Sequence, residues 1–173
     1  MNETLKAIRE RRSVRKFKAC AIEKEKLEAI VKAGLEAPSG MNRQTQIIVT
    51  LSEKSTRDKL AKANASVMGR DADPFYGAPV IMVVLAKKDS PTHVYDGSLT
   101  MQNIMLAAHS LGLGSCWIHR AREVFDMPEW KSWLKELGIS EEYEGIGNCA
   151  IGYVDGAYPS QPLQKDGRDF WVL

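Results

Sequence analysis

The sequence predicts an α+β domain: a mixed sheet of four or five strands wrapped by helices. Three observations carry that reading. Helical-period segments and short β-rich runs intermix along the chain without a clean βαβα alternation. One run, "APVIMVVLA" (Ala78–Ala86), is apolar throughout and has the length of a fully buried strand. Residues 92–111 are apolar over so much of their circumference that they form a buried, central helix.

The elements follow in order. Residues 2–12 read as a short helix with Leu5 and Ile8 on one face. Residues 23–36 read as a second, with Leu27, Ile30, Val31 and Leu35 at helical spacing, and Pro38 blocks its continuation. "QIIVTL" (Gln46–Leu51) is a strand. Ser52 N-caps a third helix that runs to about Ala65. "DPFYGAP" (Asp73–Pro79) is a loop leading into a strand at Val80–Ala86. In the helix at 92–111, Met101, Ile104, Met105, Ala108 and Leu111 make one face, Leu106 and Ala107 widen it, and Gly112 ends it. "SCWI" (Ser115–Ile118) is a short strand. "PEWKSWLKELG" (Pro128–Gly138) is a helix with Trp130, Trp133, Leu134 and Leu137 as its buried stripe. "GNCAIGYV" (Gly147–Val154) is the next strand, and the Pro- and Gly-punctuated tail ends in the strand-like "DFWVL". Its apolar side chains suit docking on another subunit.

A chain of 173 residues fits one domain, and 44% hydrophobic with 27% charged residues is an ordinary globular balance. The charged N-terminus lacks an apolar leader core, and no apolar run is long enough to span a bilayer, so no membrane partner is expected. Cys20, Cys116 and Cys149 form no C-x-x-C pair. They argue against zinc and a disulfide framework, and for reduced thiols in the cytoplasm. His93, His109 and His119 are too scattered for a metal site.

The charge is unevenly placed. Residues 1–18 hold seven basic and two acidic residues, a net +5, while the whole chain is +2 and the remainder therefore −3. Within "RERRSVRKF" (Arg9–Phe17), Arg9, Arg11, Arg12, Arg15 and Lys16 crowd together. So local a cluster fits one anion better than a broad nucleic-acid face, and no recognition helix or aromatic platform accompanies it. A solvated helix end is the simpler competing use of the arginines. The chain has no G-x-G-x-x-G, no P-loop, no H-E-x-x-H and no G-x-S-x-G. With no plain nucleophile, catalysis here would rest on a cofactor.

Four segments, "RRSVRKF", "APSGMNRQ" (Ala37–Gln44), "GLGSCWI" (Gly112–Ile118) and "NCAIGYVDGAYP" (Asn148–Pro159), occur in an order and spacing that resemble the nitroreductase family of FMN-dependent oxidoreductases. The likeness runs from Ile8 to the tail. It implies a mainly antiparallel sheet, a single FMN-binding domain over residues 1–173, and a domain-swapped homodimer with one FMN at each end of its interface. Residues 155–173 would extend onto the partner subunit, with "FWVL" paired to its sheet edge. It implies NAD(P)H as transient hydride donor and a ping-pong transfer to a small-molecule acceptor at the same flavin face. Nitro groups, quinones, free flavins, enones and halogenated tyrosines are the acceptor classes. A flavin-binding sensor or storage protein without turnover is the rival reading.

The same resemblance assigns the site residues. Arg11, Arg12, Ser13 and Arg15 would hold the FMN phosphate and approach the flavin, by guanidinium forks and a hydroxyl donor. Arg9 is read as solvated, and Lys16 stays open. Pro38, Ser39, Gly40 and Asn42 would reach ring or ribityl from the partner subunit; an ordinary helix-stopping turn is the alternative. Asn64 matches the asparagine that reads the pyrimidine edge. Trp117 and Ile118 would line the ring, with backbone N–H groups near His119 facing flavin N5. His119 departs from the family's usual Gly or Glu, and stands as a proton donor or a solvent-facing residue. Lys165 and Arg168 would lie near the phosphate or the N1–O2 edge, where a cation favours the reduced flavin.

Overall fold

The computed structural model describes residues 1–140 and 142–172. Strands β1 (Gln46–Leu51), β2 (Val80–Lys87), β3 (Gly114–Ile118) and β4 (Tyr143–Gly152) make one sheet in the order β1-β2-β4-β3. All three strand pairings are antiparallel. The parallel component of the expected mixed sheet is confined, among the described residues, to an isolated bridge between Ser13 and Ser115.

Among the described residues the α-helices are α1 (Glu3–Glu10), which packs on α4, and α2 (Lys24–Leu35), α3 (Lys54–Met68), α4 (His93–Ser110), α5 (Ala121–Phe125) and α6 (Pro128–Glu136), which flank the sheet. On one face, Ile30 of α2 and Met101, Ile104 and Ala108 of α4 pack over Met82, Val84, Cys149 and Ile151. On the other, Leu60, Val124, Phe125, Trp130 and Leu134 pack over Ile81, Val83, Leu85, Cys116 and Ile118. Strand β2 is buried from Val80 to Ala86 because it lies between both layers, which is why its sequence shows no alternation. Each such Val, Leu or Ile contributes about 1.5–3 kcal/mol relative to exposure.

Several local expectations change. Helix α3 is capped by Glu53 and not by Ser52: the Glu53 carboxylate accepts from the Ser55 and Thr56 N–H groups at 2.9 and 2.7 Å and from both hydroxyls. A longer side chain spans the first turn and satisfies several donors at once. The five-residue α5 carries no periodic pattern and escapes sequence reading. Strand β4 starts at Tyr143 and not Gly147, and ends at Gly152. The early half forms because Gly145 lets α5 lie against it; a Cβ there would sit 2.4 Å from the Ala121 carbonyl oxygen. Among the described residues Asp169–Val172 pairs with no strand, and Leu173 lies outside them. Three apolar stripes also stop short of the core. Leu5 and Ile8 of α1, Leu35 of α2 and Leu137 beyond α6 are all exposed.

Candidate functional site

The Arg11–Lys18 segment is tied between the start of β3 and the end of β4. Val14 N–H donates to the Ser115 carbonyl at 2.9 Å, and Lys18 N–H to the Tyr153 carbonyl at 2.8 Å. Gly114 makes this possible: a Cβ there would meet the Val14 side chain at 2.8 Å. Val14 and Phe17 are buried, so the residues between them face outward. Apolar anchors at 14 and 17 therefore fix where the arginines point. Lys16 pairs with Asp155 at 2.9 Å on the surface, a contact worth little on its own.

At the end of α1, Ile8, Arg9, Arg11, Arg12, Ser13 and Arg15 line an open recess of about 780 Å³, bordered by Pro159–Pro162 and Gln164 of the tail; Arg9, read from the sequence as solvated, is exposed but shares this lining. Arg12 is held rigidly: its Nη1 donates to the Arg9 and Arg11 carbonyls at 2.8 and 2.6 Å. Its backbone N–H donates to the Tyr158 hydroxyl at 2.9 Å, and that hydroxyl meets His109 Nδ1 at 3.0 Å. Burial, with Arg11 and Arg12 adding to it against Glu10, pushes the His109 pKa down and favours the neutral imidazole, whose tautomer sets which atom of the pair donates. Tyr158 and His109 thus fasten the tail over the arginines.

Two donors in this cluster are buried and have no partner among the described residues, Arg11 Nη1 and Arg12 Nε. A buried unpaired guanidinium N–H costs free energy, and native proteins keep few such groups. A phosphate fits this pair in both charge and hydrogen-bonding sense, since it brings only acceptor oxygens.

Arg15 also lines a second, smaller recess of about 280 Å³ at the end of β3, together with Tyr76, Cys116, Trp117, Ile118 and His119. The two recesses therefore adjoin at one residue. Ile118 is buried, Trp117 half-buried and His119 exposed. Trp117 packs partly into the α4 side of the sheet. Burial raises the Cys116 pKa, which keeps it a neutral thiol. Asn64 is fully buried and lines neither recess: its Nδ2 donates to the His119 carbonyl at 2.9 Å, and its Oδ1 accepts from Arg120 Nε at 3.2 Å. Its visible work is to hold the turn after β3, where Arg120 sits at φ +73°. The Asp73–Pro79 loop is fixed by Arg57, which donates to Asp73 and to the Ala78 carbonyl and brings Tyr76 to the recess.

Pro38, Ser39, Gly40 and Asn42 line neither recess. Gly40–Asn42 form a single 3₁₀ turn whose contacts run to Thr92 and Asp96 at the start of α4. Lys165 and Arg168 are exposed and line neither recess either; Arg168 Nη1 reaches Gln164, which does, at 3.3 Å. Arg120, Tyr158, His109 and Asp96 had no signal in the sequence, because each acts through a partner far along the chain. Among the described residues no group of three His, Cys, Asp or Glu could hold a metal ion.

A basic recess beside an aromatic-walled one, on an antiparallel α+β scaffold, defines a candidate binder of a phosphorylated planar cofactor. The nitroreductase family model matches residues 8–155, and the chain belongs to that family. Its fold is similar to an FMN-bound nitroreductase from Bacteroides fragilis, at TM-score 0.91 and 30% identity, over 99% of this chain and 100% of that one. An FMN-bound nitroreductase from Desulfitobacterium hafniense superposes at TM-score 0.88 with 29% identity, over 99% of each chain. The NADPH-flavin oxidoreductase of Vibrio harveyi is 31% identical over 90% of this chain and 67% of its own length.

Proposed function

We propose that this protein is an FMN-dependent oxidoreductase that takes reducing equivalents from NADH or NADPH and passes them to small acceptors such as nitroaromatics or quinones. The observation that carries the reading is the unmatched pair Arg11 Nη1 and Arg12 Nε beside the recess at the end of β3. FMN-bound relatives of the same fold support it. Arg11, Arg12 and Ser13 would hold the phosphate. Arg15, at the join of the two recesses, would sit between phosphate and ring, and Trp117, Ile118 and the His119 backbone would border the ring. When bound, FMN would supply the hydride-transfer chemistry between nicotinamide and acceptor. Donor and acceptor would use the second recess in turn, so no separate dinucleotide fold is required. Arg120 and Asn64 keep the strand end in place, and Tyr76 limits access from one side.

The working unit in this reading is a homodimer. Leu5, Ile8, Val94, Tyr95 and Leu99 are exposed on α1 and α4, and Phe170, Trp171 and Val172 on the tail. Apolar surface left uncovered in this way marks an interface. Strand β1 is a sheet edge, and beside it Leu27, Val31, Leu35 and Thr50 line an apolar groove of about 550 Å³. The tail of a second copy suits that groove and edge. The Pro38–Asn42 turn, which lines neither recess of its own chain, would complete the site of that second copy. No helix among the described residues is long and apolar enough to cross a membrane. The three free cysteines fit a reducing cytosol, where we place the protein.

Rapid mixing tests the activity. The FMN-loaded protein should lose its visible flavin absorption on mixing with NADH or NADPH without oxygen, and regain it with a nitroaromatic or quinone. Flavin that stays oxidised with both nicotinamides would leave a flavin holder and not an enzyme.

A further inference from the structure

A buried carboxylate on α4 holds the Pro38–Asn42 turn. Asp96 is 3% exposed. Its Oδ1 accepts the Gly40 N–H at 3.1 Å, and its Oδ2 accepts the Thr92 hydroxyl at 2.9 Å. Thr92 in turn occupies the space above Gly40, where a Cβ would lie 2.3 Å from Thr92 Oγ1. The contact therefore has three parts: a carboxylate, a hydroxyl oriented by it, and a glycine that leaves room for both. Asp96 belongs to the first turn of α4, where the helix N-terminus favours negative charge.

The turn that this contact holds has an uncommon backbone. Met41, Asn42 and Gln44 lie at φ 53°, 53° and 49°, in the left-handed region that non-glycine residues seldom occupy. Inside it, Ser39 Oγ accepts the Gln44 N–H at 2.9 Å, and Asn42 Oδ1 accepts from Gln44 Nε2 at 3.0 Å. Core packing does not account for the shape, since Met41 is 75% exposed and Asn42, Arg43 and Gln44 are all exposed. Strain kept at an exposed turn, with polar anchors beneath it, points to a contact outside its own chain.

We propose that Asp96 is a positioning residue for flavin binding: it holds Ser39, Gly40 and Asn42 in the shape in which they meet the flavin of a second copy of this chain. The proposal rests on the flavin reading above. Asp96 touches neither flavin nor substrate. It fixes the Gly40 N–H through a charge-assisted hydrogen bond, so the turn loses no conformational freedom when the flavin arrives.

The test uses the full chain with Asp96→Ala, Asp96→Asn and Gly40→Ala. FMN affinity is read from flavin fluorescence, and unfolding temperature is measured separately without FMN. Asp96→Ala should weaken FMN by about tenfold to a hundredfold, the cost of ordering one or two residues of the freed turn on binding. Asp96→Asn keeps an oxygen for the Gly40 N–H and should bind within about threefold of wild type. Gly40→Ala expels Thr92 with Asp96 intact and should weaken FMN as Asp96→Ala does. A carboxylate that only stabilises α4 would instead lower the unfolding temperature while the folded fraction of every variant bound FMN as wild type does; that result overturns the proposal. Wild type that binds no FMN would overturn the flavin reading and this proposal with it.

Discussion

Arg11 and Arg12 are adjacent and equally charged, yet their substitutions should have opposite effects on the empty protein. Arg11 Nη1 is buried and unmatched, and among the described residues no hydrogen bond from the Arg11 side chain holds it. Arg11→Met keeps the apolar stem and removes the head, which relieves an unsatisfied donor worth about 1–3 kcal/mol. The unfolding temperature of the FMN-free protein should therefore stay level or rise, by about 2–4 °C per kcal/mol at this size. Arg12 carries the same kind of orphan at Nε, but its Nη1 bonds to two carbonyls at the end of α1. Arg12→Met should lower the unfolding temperature. Both variants should lose FMN alike. A charge-assisted bond to phosphate is worth about 1.5–3 kcal/mol, so each should weaken FMN by roughly tenfold to a hundredfold. Riboflavin, which lacks the phosphate, serves as the control, and its affinity should not change. The assays are calorimetry on the FMN-free protein and flavin fluorescence quenching. Unchanged FMN affinity in Arg11→Met, or an equal loss for riboflavin, would refute a phosphate site at Arg11.

Three further outcomes test other parts of the structure. Bonds from the Ser55 and Thr56 hydroxyls, then from their N–H groups, pull the Glu53 pKa from the ordinary 4.5 to about 2. A carboxylate depressed on folding stabilises fully above its unfolded value and loses that contribution as pH falls towards 2, so Glu53→Gln should flatten this part of the acid-unfolding curve; an unchanged curve would remove Glu53 as the cap. Gly145→Ala forces a methyl against the Ala121 backbone, which cannot swing aside as a side chain can. It should cost about 1–3 kcal/mol in denaturant melts, and a neutral result would mean that α5 is not held against β4. Deleting everything from Asp169 onward should shift sedimentation towards monomer and weaken FMN; an intact dimer would contradict the tail-in-groove arrangement.

Most of the framework was legible because it depends on local pattern. β1 follows its β-branched run to the residue, and β2 extends one residue past its own, to Lys87. The wide apolar circumference of residues 92–111 predicts a helix buried all round; α4 instead buries one face, beside α2 on the sheet, and leaves Val94, Tyr95 and Leu99 exposed. What failed depends on contacts between distant segments. The first half of β4 contains Glu144 and Gly145 and looks unlike a strand until Ala121 of α5 is laid on it. Leu35 and Leu137 continue apolar stripes correctly, but the stripes outrun the core of one chain.

The site divides the same way. "RRSVR" stands out by charge density alone, and its place beside β3 follows once Val14 and Phe17 are seen as anchors. Tyr158 reaches Arg12, and Arg120 reaches Asn64, across separations of 146 and 56 residues, which no spacing rule connects. The Asn64 amide is engaged by the His119 carbonyl and the Arg120 side chain, a use that only the folded chain reveals.

A crystal structure of the protein soaked with FMN would locate phosphate and ring together. Phosphate oxygens should lie within hydrogen-bond distance of Arg11 Nη1 and Arg12 Nε, and the flavin ring in the recess by Trp117 and Ile118. A phosphate bound elsewhere, with both guanidinium donors still unmatched, would contradict this placement.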